Sequence, residues 1–159
     1  MQPALRYHRA GRRPPLRILV VTARPPWPPR RGDQARAAGL IETLVGRHRI
    51  RVLALRPPGF ACAPAPPAVG VDTISTGWGA HLGALAMHPR IPIQVAMHRV
   101  ARLEREARRA VEDFAPEVVL VVLSRLGGLI DRLDGVPVVL DLVDSLALNL
   151  ENRARRQPL

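Results

Sequence analysis

Two groups of residues in this sequence could act on a charged ligand. The first sits in "PPWPPRRGDQAR", residues 25–36, where Arg31, Gly32, Asp33 and Arg36 follow an apolar run and open what reads as a helix. A glycine at a helix start lets backbone N–H groups approach an anion, and the helix N-terminus favours negative charge. Arginines just before and one turn after that glycine can add charge-assisted hydrogen bonds. The prolines stiffen the approach and lower the cost of ordering it on binding. The chemistry would be the grip of an anion. A plainer reading makes Gly32 a turn residue in a rigid crossover loop.

The second group is Arg125, after "EVVLVVLS", with Asp141 and Asp144 in "VPVVLDLVDSLALNL". Each also has a plainer reading: Arg125 solvated, Asp141 satisfying backbone groups at a strand end, Asp144 capping a helix. His81, His88 and His98 lie in or near an ambiguous segment. A lone histidine is more often structural or exposed than catalytic, so none is assigned a role. The first loop carries neither G-x-G-x-x-G nor G-x-x-x-x-G-K-[ST], which disfavours a simple nicotinamide or P-loop enzyme. The single Cys62 allows no internal disulfide and argues against a metal site; a reducing cytoplasm fits it.

The elements that must position these residues alternate in type. "LRILVVTA" (16–23) is a near-continuous apolar run, as for a strand buried on both faces. Asp33 can cap a helix whose stripe is Ala37, Leu40, Ile41, Leu44 and Val45, with Arg47 and His48 at its C-terminal end. "IRVLAL" (50–55) and "VDTIST" (71–76) read as further strands around a Pro/Ala/Gly loop. Residues 77–97 suggest one or two short helices over an opening. His98–Phe114 is an amphipathic helix with Val100, Leu103, Ala107, Val111 and Phe114 on one face, and Glu104–Arg108 and Arg108–Glu112 as i,i+4 pairs. A fourth strand (117–124), a short helix (125–133), a fifth strand (136–144) and a last helix capped by Asp144 or Ser145 complete the reading.

Strands alternating with helices predict an α/β, Rossmann-like three-layer sandwich with a five-stranded, mainly parallel sheet. Ligands bind such sheets beyond the carboxyl ends of the strands, where the strand order reverses. Residues 22–33, 124–128 and 141–145 then share the functional edge. Residues 1–15 read as a basic leader and 16–159 as one domain.

The charge is +11, and all 24 basic residues are arginine. With 17 prolines and abundant alanine, that pattern points to a coding bias, which weakens an inference from charge to nucleic acid. Aromatics are 3% of the chain, so stacking platforms for bases are scarce, and no nucleic-acid partner is expected. No apolar run approaches the ~20 residues of a membrane span. The charge still permits phosphates, nucleotides or an acidic membrane surface.

The segment "RILVVTARPPWPPRRGDQARAAGLIETLVGRHRIRVLAL" resembles the opening of bacterial glycosyltransferases of the GT-B fold, family 4-like. Pro26, Pro28, Pro29, Gly32, Asp33 and Arg36 match that family's "P-x-P-P-x-x-G-D-x-x-R" loop. "VPVVLDLVDSLALNLENRARR" is similar to a segment of sugar transferases linked to exopolysaccharide systems. The resemblance covers residues 16–156. It implies transfer of a sugar from a nucleotide-sugar donor, as substrate and with no metal cofactor, to a glycan or lipid-linked acceptor. It implies that Gly32 faces the cleft and that Arg125, Asp141 and Asp144 share its rim.

Two departures qualify it. Ser124 and Arg125 stand where many members place a histidine, so no catalytic base is carried over. The donor-binding second unit and its paired-glutamate segment are not found in this sequence. The expectation is therefore an acceptor-side half, inactive alone or completed by a separately encoded C-terminal half. It would be cytoplasmic, with peripheral contact to the inner face of a membrane as an option. A non-enzymatic module for nucleotides or phosphorylated ligands is the alternative.

Overall fold

The structure, a computed structural model, describes residues 14–142. Its elements are β1 (Arg17–Thr22), α1 (Gly32–Val45), β2 (Arg49–Arg56), β3 (Val69–Ser75), α2 (Trp78–Met87) and α3 (Ile93–Ala96). They continue with α4 (Ala101–Phe114), β4 (Val118–Val122), the 3₁₀ segment Ser124–Arg132 and β5 (Val138–Asp141). Asp144 and the expected last helix lie outside the described residues, as does most of the basic leader.

The five strands form one all-parallel sheet in the order β3-β2-β1-β4-β5. β1 runs at its centre. Ile18 to Val21 are all at most 5% exposed, because this strand is covered on both faces. Each fully buried aliphatic side chain there contributes roughly 1.5–3 kcal/mol. The chain moves outward from β1 through β2 to β3, then returns past β1 to β4 and β5. Right-handed crossovers in opposite directions place α1 and α4 on opposite faces. The β2–β3 connection (57–68) carries no helix; its Ala63 and Ala65 pack on the core instead.

Several local expectations are corrected. Asp33 does not cap α1: Arg31 is the N-cap residue, with extended backbone, and no side chain bonds the free N–H groups. Asp33 falls inside the first turn, where its carboxylate pairs with Arg24. The buried stripe of α1 is Gln34, Ala37, Ala38 and Ile41, while Leu40, Leu44 and Val45 are half-buried. α1 ends at Val45, before Arg47 and His48; His48 Nδ1 instead accepts the Leu16 N–H at 3.1 Å and pins the entry to β1. Residues 77–97 form the two short helices α2 and α3.

α4 begins at Ala101, and Arg108 makes neither expected ion pair. Its Nε donates to the Arg132 carbonyl at 3.2 Å, and the pair on this helix is Arg109–Glu106, also at 3.2 Å. Packing of α4 against the 3₁₀ segment draws Arg108 away from its helical neighbours. The expected short helix 125–133 is the 3₁₀ segment Ser124–Arg132, and β5 is four residues long.

Candidate functional site

The strand order reverses between β1 and β4, so the crevice beyond their carboxyl ends is where an α/β sheet of this kind takes a ligand. The β1 wall is rigid for stated reasons. Thr22 Oγ1 donates to the Arg24 carbonyl at 2.8 Å and turns the chain as it leaves the sheet. Pro25, Pro26 and Trp27 are buried although they lie in a loop. The buried Gln34 amide donates to the Pro25 carbonyl at 2.7 Å, and Trp27 Nε1 to Glu42 at 3.3 Å, so α1 holds the loop at two points. The Ala63 N–H donates to the Trp27 carbonyl at 3.0 Å and ties in the β2–β3 connection. The prolines and tryptophan thus build a fixed wall, not a flexible basic loop.

The charged groups of this wall are partly spoken for. Arg24 pairs with Asp33, the two being 14% and 11% exposed. Arg24 and Arg31 each lie over the Phe60 ring, at 5.1 and 5.2 Å from its centroid. Arg31 pairs with no carboxylate among the described residues. The first intrahelical bond of α1 runs from Ala35 N–H to the Arg31 carbonyl, so the N–H groups of Gly32, Asp33 and Gln34 have no backbone partner. A Cβ built on Gly32 would meet no atom within 4 Å. The space where a side chain at position 32 would stand is open.

Arg36 and Asp141 are brought together. Arg36 Nε and Nη2 donate to the two carboxylate oxygens at 2.7 and 3.1 Å, a bidentate pair that joins α1 to the end of β5. The hydrogen bond to Asp141 raises the Arg36 pKa. Asp141 therefore does not spend its carboxylate on neighbouring backbone groups; its carbonyl accepts the Leu123 N–H at 3.1 Å. Leu123 has φ 83°, a conformation that costs a non-glycine residue about 1–3 kcal/mol. That kink turns the chain sharply after β4 and begins the segment bearing Ser124 and Arg125 at the crevice.

Histidine enters where sequence reasoning assigned none. His98 lies within Coulombic reach of Arg125, His81 and Arg24, which sets it at the same rim. Its Nδ1–H donates to the Gln94 carbonyl at 2.6 Å. Burial, first, and the neighbouring cations push its pKa below the usual 6.5, so the neutral imidazole prevails at neutral pH. His81, 4% exposed, stacks edge-on against His98 at 6.2 Å and bridges Thr76 Oγ1 and the Met97 carbonyl, each at 2.8 Å. That clamp fixes the segment carrying His98. No signal in the sequence marks His98 or Phe60: apart from Gln94, the groups they meet are distant in the chain.

This end of the sheet thus carries a helix N-terminus with unpaired N–H groups and several arginines, and the neutral His98 lies within Coulombic reach of two of them. Asp33 and Asp141 serve as partners that orient two of the arginines. No protein-family model and no curated protein sequence matches the chain. Among solved structures the fold is similar to the crystal structure of TcCGT1 in complex with UDP, at 10% identity and a TM-score of 0.49. The match covers 91% of this chain and 32% of that one, so this chain spans about a third of that protein's length. A likeness so distant carries no argument about chemistry.

Proposed function

We propose that this chain supplies one wall of a glycosyltransferase site, taking the diphosphate of a nucleotide-sugar donor at the β1–β4 crevice. The observation that carries the reading is the open N-terminus of α1, beneath Gly32, flanked by Arg31 and held on a rigid loop. Oriented N–H groups and fixed guanidiniums stabilise a leaving diphosphate without rearranging as its charge develops. The resemblance of residues 16–156 to family 4-like transferases of the GT-B fold supports the same reading. The donor is substrate, and no metal is required by it. A second α/β unit, in the same or another polypeptide, would supply the opposite wall and the grip on the base. The acceptor would be a glycan or a lipid-linked one, and the setting would be envelope or exopolysaccharide assembly in the cytoplasm.

The test is a titration of the ¹⁵N-labelled chain with UDP-, GDP- and dTDP-sugars and with pyrophosphate. Weak, saturable shifts of the Gly32–Ala35 and Leu123–Arg125 amides are expected, and Arg31→Glu should abolish them. Amides that stay unmoved across the panel would sink the proposal. Micromolar binding of a free nucleotide by this chain alone would favour a non-enzymatic binding module instead.

A further inference from the structure

β3 ends the sheet on one side, and no strand pairs with its outer edge among the described residues. The Thr76 N–H donates inward to the Arg56 carbonyl at 3.1 Å. Alternation along the strand therefore turns the N–H and C=O groups of Val71, Thr73 and Ser75 outward. Such an edge is a template for another chain, and proteins commonly guard it with charge, proline or a bulge. This one is unguarded. In a chain of 24 arginines, residues 57–89 contain none, and Asp72 is their one acid. β3 itself holds no proline.

Beside this edge runs a groove of about 510 Å³ between β3 and α4. Its α4 wall carries Arg102, Glu106, Arg109 and Asp113, whose spacing of four, three and four puts them in one row on the helix. The row alternates in sign: plus, minus, plus, minus. With Arg51 and Asp72 on the sheet side, the groove holds three cations and three anions, although the whole chain carries +11. Arg109 pairs with Glu106, and Arg51 with Asp72. Arg102 and Asp113, at the two ends of the row, have no ion-pair partner among the described residues.

We propose that the outer edge of β3 is an interface between two copies of this chain, paired antiparallel across a two-fold axis that joins two five-stranded sheets into one. The charge pattern selects this occupant. A two-fold normal to the sheet reverses α4, and an alternating row of four read backwards is opposite in sign at every position. Arg102 is then set towards Asp113 of the partner subunit, and Glu106 towards Arg109 of the partner subunit; symmetry repeats both. Elsewhere the excess of arginine sets two copies against each other. An axis through Thr73 lets the two Thr73 residues exchange both backbone hydrogen bonds and sets Val71 opposite Ser75 of the partner subunit. Asp72 then lies opposite Ile74 of the partner subunit, so the two Asp72 carboxylates do not meet. This edge is on the far side of β2 from the β1–β4 crevice, and the inference does not rest on the transferase reading.

Sedimentation velocity of the full chain over a range of concentrations tests it. A monomer–dimer equilibrium with no larger species is expected, because a two-fold contact uses up the edge. Thr73→Pro removes an outward N–H and no bond to β2, so it should keep the circular dichroism of the parent and abolish the dimer. Arg102→Asp sets like charges together and should weaken association about tenfold. Arg102→Asp/Asp113→Arg restores opposite signs at every facing position and should recover it. Should the proline disturb the fold, this charge pair decides alone. With Cys62 replaced by serine, Thr73→Cys should give a disulfide-linked dimer on treatment with diamide, whereas Val139→Cys, in β5 at the opposite edge, should not. A chain monomeric throughout, a dimer that survives Thr73→Pro, a double charge variant as weak as Arg102→Asp, or a dimer lost with Trp78→Ser/Met87→Ser on α2 would each overturn the proposal.

Discussion

At Gly32 the fold and the proposed function pull in opposite directions. A Cβ there meets only open space, and alanine is favoured over glycine within a helix by up to about 1 kcal/mol. Gly32→Ala should leave the melting temperature unchanged or slightly raised, yet weaken pyrophosphate binding severalfold if the ligand sits as proposed, because the methyl group would stand in its approach. Calorimetry and an amide-shift titration on one sample check both halves. A second asymmetry concerns the bidentate pair. Asp141 is 12% exposed at its side chain and Arg36 47%. Arg36→Ala strands a nearly buried carboxylate, whereas Asp141→Ala leaves a guanidinium that water can reach. Arg36→Ala should therefore lower the melting temperature more than Asp141→Ala.

His98 gives stability a pH dependence with a definite sign. Its folded pKa lies below 6.5. Well above 6.5 both folded and unfolded chains hold it neutral and it adds no slope. As pH falls through 6.5 the unfolded chain takes the proton first, so stability declines. Melts at pH 7.5 and 5.5 should show the lower value at 5.5, and His98→Gln should narrow the difference. None of this is visible in sequence, because Arg24, His98 and Arg125 meet only when the whole β3–β4 crossover is folded.

At the scale of elements, strands were the most legible feature. A strand covered on both faces must be apolar at consecutive positions, and β1, β2 and β4 are. Helix ends were less so. Asp33 has the chemistry of a cap, but Arg24, nine positions upstream, returns in space to claim its carboxylate. Ala115 holds another unannounced feature: it ends α4 with φ 44° and its N–H bonds the Val111 carbonyl at 2.9 Å. Glycine is the usual residue in that left-handed position. Ala115→Gly should stabilise the protein by about 1 kcal/mol, read as a higher urea midpoint with an unchanged slope.

For the molecule as a whole, the sheet centre is the sensitive point. Leu19 is fully buried in β1, and Leu19→Ala should cost about 2–5 kcal/mol, enough to threaten a domain of this size. The resemblance and the topology directed attention to the same end of the sheet, where Arg36 pairs with Asp141 while Arg31 lies over Phe60. Phe60 and His98 had to be seen in space: one sits in a proline-rich connection, the other beside a helix start, and neither position has a periodicity that sets it apart.

The bond from Ala63 N–H to the Trp27 carbonyl joins two loops, outside the ladder of the sheet. Its deuterium uptake therefore reads a different event from that of the Val20 amide at the sheet centre. If the proline wall loosens on its own, Ala63 exchanges by a local opening while Val20 waits for global unfolding. A ligand seated against the wall would then slow the first clock, with a much smaller effect on the second.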